Sequence, residues 1–307
     1  MSKQAFVFPG QGAQAVGMGR DAFDHSPEAR EIFIRADEAL GFKLTDIIFS
    51  GPEAELKKTY NTQPALLTTS LALLAALRLK GIKADFVAGH SLGEYTALVA
   101  AGVLSFEDAV RTVRIRGELM EAAVPAGLGA MAAVLGAERE ALSAFCETLS
   151  VEVGAVELAN VNCPGQIVIS GTREGIQAAQ ERSRECGAKR MIPLDVSGPF
   201  HSSLMRPAAE KLATILAELK LQPASIPVIA NVTAEQVINP EQIRELLVQQ
   251  VYSPVLWEDT IRQLIAEGVD TFIEIGPGAV LAGLIKKIDK TVTVKSVNSM
   301  QAVECFE

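Results

Sequence analysis

The sequence is poor in several things, and each shortage narrows what the chain can be. Its 307 residues include only three histidines, four cysteines and 5% aromatic residues. The cysteines (Cys146, Cys163, Cys186, Cys305) have neither C-x-x-C nor metal-ligand spacing. They read as reduced thiols of a cytoplasmic protein with no metal site and no disulfide framework. Basic residues are outnumbered, 28 Lys and Arg against 37 Asp and Glu, and a net charge of −9 argues against nucleic acid as the main partner. No apolar run approaches the ~18 residues of a membrane-spanning helix. The N-terminus, MSKQAFVFPGQG, turns before any signal-peptide core could form. Repeats and low-complexity tracts are also missing. What remains is an Ala/Leu/Val/Ile chain, 49% hydrophobic and long enough for about two domains.

Strand and helix signals alternate along it, as in an α/β protein. A strand is predicted at 4–8, helices at 27–40 and 63–80, the latter with Pro64 in its first turn, and a strand ending at Ala88. A helix follows Ser105, which caps it. From about residue 130 the order is strand 130–135, helix 138–149, strands 156–160 and 166–170, helix 173–186 and strand 189–194. That is β-α-β-β-α-β, the ferredoxin-like order. The expected division is therefore a large domain, 1–126 and 196–307, with a small domain, 127–195, inserted into it. The large domain resumes with a helix at 205–219, a strand at 226–231, helices near Glu241 and Asp259, and a strand at 271–275.

The stretch FVAGHSLGEYTALVAAG, Phe86 to Gly102, carries G-x-S-x-G between a short apolar strand and a helix. In that context the serine sits on a sharp exposed elbow, and the helix N-terminus faces the place where an oxyanion would form. Ser91 is thus either a nucleophile or a serine that merely caps the helix, and the context favours the nucleophile. Gly10-x-Gly12-x-x-Ala15 also follows a strand and fits the dinucleotide fingerprint. No second strand ending in an acidic residue follows to hold a ribose, whereas the same bare backbone would suit an oxyanion hole.

Few histidines make the base easy to seek. His25 lies in a charged stretch, and His90, next to Ser91, is expected to point its ring elsewhere and act indirectly. His201, in SGPFHSS just before a helix, is expected to stay neutral and able to take the serine proton. Residues 106, 109, 110, 113, 117 and 120 form an apolar stripe, and Arg116 falls within it. Either it pairs with a buried carboxylate, or it waits in a cleft for an anionic ligand. Arg111 and Arg114 lie opposite and are expected to pair with Glu107 and Glu118.

The segments FVFPGQGAQ, TQPALLTTS, GHSLGEYTALVAAG, RIRGELM, NCPGQIVISG, GPFHSSLM, VYSPVLW and EIGPGAVLAGL, in that order, resemble the malonyl-CoA:acyl carrier protein transacylases. The acyltransferase domains of fatty acid and polyketide synthases share them. The resemblance implies an α/β-hydrolase-like large domain with the inserted ferredoxin-like one, Ser91 as nucleophile and His201 as base. It implies that Arg116 holds the malonyl carboxylate, and that backbone N–H groups of Gln11 and Leu92 form the oxyanion hole. Gln250 matches the position whose main-chain carbonyl orients the histidine, and Phe200 is a residue type that malonyl-selective members often carry. The partners implied are malonyl-CoA and acyl carrier protein, with no cofactor beyond the CoA thioester and the carrier's phosphopantetheine, and the chain is expected to be a monomer. Two rivals remain at this point. A serine esterase or thioesterase could use the same elbow without Arg116, and a non-catalytic carrier-binding protein would need none of the three residues.

Overall fold

The computed structural model describes residues 2–125 and 127–306. The expected domain boundary at residue 126 lies outside the described residues. Two sheets organise the chain. The larger has the order β10-β9-β1-β2-β7-β8, formed by β1 (Lys3–Phe8), β2 (Phe86–Gly89), β7 (Val228–Ile229), β8 (Gln236–Val237), β9 (Val269–Ile275) and β10 (Thr293–Val297). Its pairings are parallel except β7 with β8. The inner strands β1 and β2 are apolar on both faces, as a parallel sheet covered by helices requires. The smaller sheet is antiparallel, with the order β4-β5-β3-β6, from β3 (Gly129–Leu135), β4 (Val156–Cys163), β5 (Gln166–Thr172) and β6 (Arg190–Pro193). With the helices Arg139–Glu152 and Arg173–Glu181 it makes the ferredoxin-like unit. The fold is therefore a large α/β domain carrying a small ferredoxin-like one.

The helix Thr59–Arg78 is buried on nearly every side and forms the spine of the main core. Its apolar residues and its small polar ones (Thr62, Thr68, Thr69, Ser70) are buried alike, so it has no solvent face and is placed centrally. It begins before the predicted start, which leaves Pro64 inside it rather than in its first turn. Proline cannot donate to the carbonyl four residues earlier. Arg114 Nη1 supplies that donor instead, 3.2 Å from the Tyr60 carbonyl.

Other expectations need correction. The predicted helix 173–186 ends at Glu181 and is followed by a 3-10 turn, Ser183–Cys186. Of the predicted strand 226–231 only Val228–Ile229 is paired in the sheet. Glu107 takes Arg35 at 2.7 Å, and Arg111 takes Asp108 at 2.9 Å, so the expected Glu107–Arg111 pair does not form. Arg114 does reach Glu118, at 2.7 Å. Helical spacing offers i,i+4 partners, but the better placed Arg35 arrives from another helix.

Candidate active site

The elbow follows from local sterics. β2 ends at Gly89, and the next helix, Leu92–Ala100, begins just past Ser91. A Cβ on Gly89 would lie 1.9 Å from the Gly93 carbonyl, and one on Gly93 would lie 2.1 Å from the Phe8 carbonyl. Neither position can accept a side chain, so the strand, turn and helix close on one another at β1. Ser91 is left at φ 52°. Among the described residues the non-glycine positions with positive φ are Ser91, His201 and Ala234. Strained backbone persists where the surroundings overdetermine it, and two of these three face each other across one cleft.

Ser91 Oγ is 2.8 Å from His201 Nε2. His201 Nδ1 lies 2.8 Å from the carbonyl of Gln250 and 3.2 Å from that of Ser253. A carbonyl only accepts, so Nδ1 carries the proton and Nε2 presents its lone pair to the serine. Burial, and then the charge of Arg116, push the His201 pKa down to about 3. The ring is neutral at physiological pH, the form a proton acceptor needs.

Arg116 is 1% exposed, on the buried face of the helix Phe106–Ala122. Its Nη1 donates to Gln63 Oε1 at 2.8 Å and its Nη2 to Gln250 Oε1 at 2.9 Å, with Ser91 Oγ 3.3 Å away. The guanidinium thus hangs on two neutral amides and points at the serine. Burial lowers its pKa from the ordinary value, the cost of a buried cation held only by neutral partners, which a nearby anion would offset.

A second ring of contacts fixes these groups. Asn231 Oδ1 accepts from the Ser91 backbone N–H at 2.7 Å, and its Nδ2 donates to the Gly89 carbonyl at 2.7 Å. Gln250 Nε2 donates to the Ser91 carbonyl at 3.0 Å and to Glu94 Oε2 at 2.7 Å. The small domain holds the base from both sides. The edge of β4 pairs with Val255, through Val161 N–H to its carbonyl at 2.9 Å and Val255 N–H to the Ala159 carbonyl at 2.9 Å. That bond steadies the chain carrying the Gln250 and Ser253 carbonyls. Glu157, also on β4, caps Ser203 N–H at 2.9 Å, just beyond His201.

The other singled-out residues line the same cleft, which encloses about 110 Å³. Phe200 and Leu92 are buried in its wall, and Gln11 stands in the turn after β1, its Nε2 3.4 Å from Thr59 Oγ1. His90 turns away from Ser91. Its Nε2 lies 2.9 Å from Asn162 Oδ1, its ring leans on Trp257, and burial lowers its pKa. A neighbouring groove of about 310 Å³ shares Gln11 and His90 and runs past Gly10, Asn162 and Val280. Among the described residues no cluster of three or more His, Cys, Asp or Glu could hold a metal, and no helix is long and apolar enough to cross a membrane.

Glu94, Asn231 and Gln63 were not singled out from the sequence. Glu94 had a visible signal, a carboxylate in the otherwise apolar run LGEYTALVAA. Asn231 and Gln63 had none, because one polar residue beside a strand or proline is ordinary.

The acyl transferase domain model matches residues 5–304. The malonyl CoA-acyl carrier protein transacylase of Bacillus subtilis is 56% identical over 304 residues, 99% of this chain and 96% of that protein. The acyl carrier protein S-malonyltransferase of Vibrio cholerae superposes with a TM-score of 0.97 at 44% identity, covering 100% of both chains. A malonyl-transacylase solved with its type II polyketide synthase acyl-carrier protein superposes with a TM-score of 0.96 at 42% identity, covering 99% of this chain and 98% of the other.

Proposed function

The chain belongs to the acyl transferase domain family, and on that premise we propose that it moves malonyl groups from malonyl-CoA to the phosphopantetheine thiol of an acyl carrier protein. The observation that carries this reading is Arg116, a buried cation aimed at Ser91 Oγ from 3.3 Å. A plain ester hydrolase has no use for it, whereas an acyl group ending in a carboxylate does.

In the first half-reaction His201 Nε2 takes the Ser91 proton as Oγ attacks the thioester carbon. The oxyanion is met by the backbone N–H groups of Gln11 and Leu92, the latter among the first-turn donors that a helix leaves free. When the tetrahedral centre collapses, the C–S bond breaks, the proton passes to the departing CoA sulfur, and a malonyl ester remains on Ser91. In the second half-reaction the carrier thiol gives its proton to His201, its sulfur attacks the ester carbon, the bond from that carbon to Oγ breaks, and His201 returns the proton to Oγ to regenerate Ser91. Arg116 holds the malonyl carboxylate throughout. The groove past Gly10, His90 and Asn162 has room for the pantetheine arm of either substrate. No metal or redox cofactor enters either step, and the enzyme acts as a cytoplasmic monomer.

Mass spectrometry after mixing with malonyl-CoA tests the proposal. One malonyl group is expected on the peptide that holds Ser91, and none in Ser91→Ala. Labelling that survives in Ser91→Ala, or steady release of malonate without carrier, would refute it.

A further inference from the structure

Glu94 is a buried carboxylate beside the catalytic groups, and neither half-reaction uses it. It sits in the first turn of the elbow helix, 2% exposed. Its Oε2 accepts from Gln250 Nε2 at 2.7 Å and from the Asn231 backbone N–H at 3.1 Å. At its other end the same Gln250 amide accepts from Arg116 Nη2 at 2.9 Å. One neutral amide therefore links a buried anion to the buried cation that faces Ser91.

We propose that Glu94 is the resident counter-charge of Arg116, and that it competes through Gln250 with the carboxylate of an incoming acyl group. It is a positioning residue that sets how strongly the site prefers a carboxylated acyl group to a neutral one. The inference rests on Arg116 being the anchor of that carboxylate. When Glu94 is ionised, the incoming carboxylate is the second anion on one cation. When Glu94 is protonated, the field of Arg116 reaches the acyl group undiminished.

Burial pushes the Glu94 carboxyl up to about 7, against the opposing pull of Asn231, Gln250 and Arg116, so both forms are populated near neutrality. The groups around it allow its titration to be isolated. Arg116 faces it from the helix Phe106–Ala122 and stays charged. Tyr95, beside it on its own helix, is pushed up to about 12 by burial. His201, beyond Arg116, is pushed down to about 3, and burial also lowers His90. Gln250 and Asn231, which touch Glu94 directly, carry no charge. Arg116 is the charged side chain whose field opposes the effect of burial on Glu94.

The test is the ratio of kcat/KM for malonyl-CoA to that for acetyl-CoA, from about pH 6 to about pH 8.5, in wild type and in Glu94→Gln. Ionisations of the CoA moiety are common to both substrates and cancel in the ratio. The wild-type ratio is expected to fall roughly tenfold as pH rises, the order of magnitude of the repulsion between two carboxylates that share one buried cation. The Glu94→Gln ratio is expected to be flat, at or above the wild-type value at low pH. A flat wild-type ratio overturns the proposal, as does a falling profile that persists in Glu94→Gln. Thermal unfolding reports whether the variant folds, and if it does not, the wild-type profile decides alone. A wild type with no malonyl preference at any pH would instead refute the assignment of Arg116, a result distinct from a preference indifferent to Glu94.

Discussion

Replacing Arg116 by alanine removes the one charge that distinguishes this cleft from that of a hydrolase. The protein uses Nη1 for Gln63 at 2.8 Å and Nη2 for Gln250 at 2.9 Å. The contact of Nη2 with Ser91 Oγ is the long one, 3.3 Å, and is the donor that an acylated serine would release to a carboxylate. A charge-assisted bond of that kind contributes about 1.5–3 kcal/mol, which is about one to two decades in rate ratio. Acetyl-CoA, which has no carboxylate, loses none of this. Single-turnover acylation of Ser91 by each thioester, followed by mass, is the assay, and the malonyl-to-acetyl ratio is expected to drop by that amount. The variant also leaves two buried amide oxygens without a donor, a cost of about 1–3 kcal/mol each, partly offset because a buried cation is gone. Thermal unfolding is therefore recorded alongside. A lower unfolding temperature with an unchanged malonyl-to-acetyl ratio would show that Arg116 is structural and would refute the reasoning.

Four further outcomes are expected. A histidine held at about 3 stays neutral in mild acid, so acylation by acetyl-CoA should be flat from about pH 5 to about pH 8. A base of ordinary pKa, about 6.5, would instead lose about thirtyfold by pH 5, and such an acid limb would contradict the assigned environment of His201. His201→Ala should slow acylation by about a hundredfold or more. Asn231→Ala orphans both the Ser91 N–H and the Gly89 carbonyl, so denaturant unfolding should show a loss of about 2–5 kcal/mol, and unchanged stability would mean the elbow holds itself. If the carrier is acidic, docking on a chain of net charge −9 needs local basic pairs, and the exposed pairs Lys286–Lys287 and Lys189–Arg190 are the candidates. Charge reversal at Lys286 and Lys287, or at Lys189 and Arg190, should therefore raise the KM for carrier without altering acylation by malonyl-CoA. The defect should shrink as salt rises, and unaltered transfer in both variants would place the docking surface elsewhere.

The sequence alone determined what depends on near neighbours in the chain. The elbow is legible because strand, turn and helix are contiguous, and because Gly89 and Gly93 answer to backbone four residues or one strand away. Arg116 stands out because helical periodicity places it among apolar residues, and Ser105 caps its helix by accepting from Asp108 N–H at 3.1 Å. The βαββαβ order follows from the succession of periods 2 and 3.6. Only the tertiary structure decided what requires distant segments to meet. The group that orients His201 is a main-chain carbonyl, which every residue possesses, so no side chain at Gln250 could announce it. Glu94 and Asn231, 137 positions apart, become one network only when β2 and β7 pair. Arg35 displaces Arg111 as the partner of Glu107 across 72 positions. For Arg116, between a buried carboxylate and an awaited anion, packing supplies what no spacing rule contains: a carboxylate one amide away, and a long contact of 3.3 Å to Ser91 Oγ.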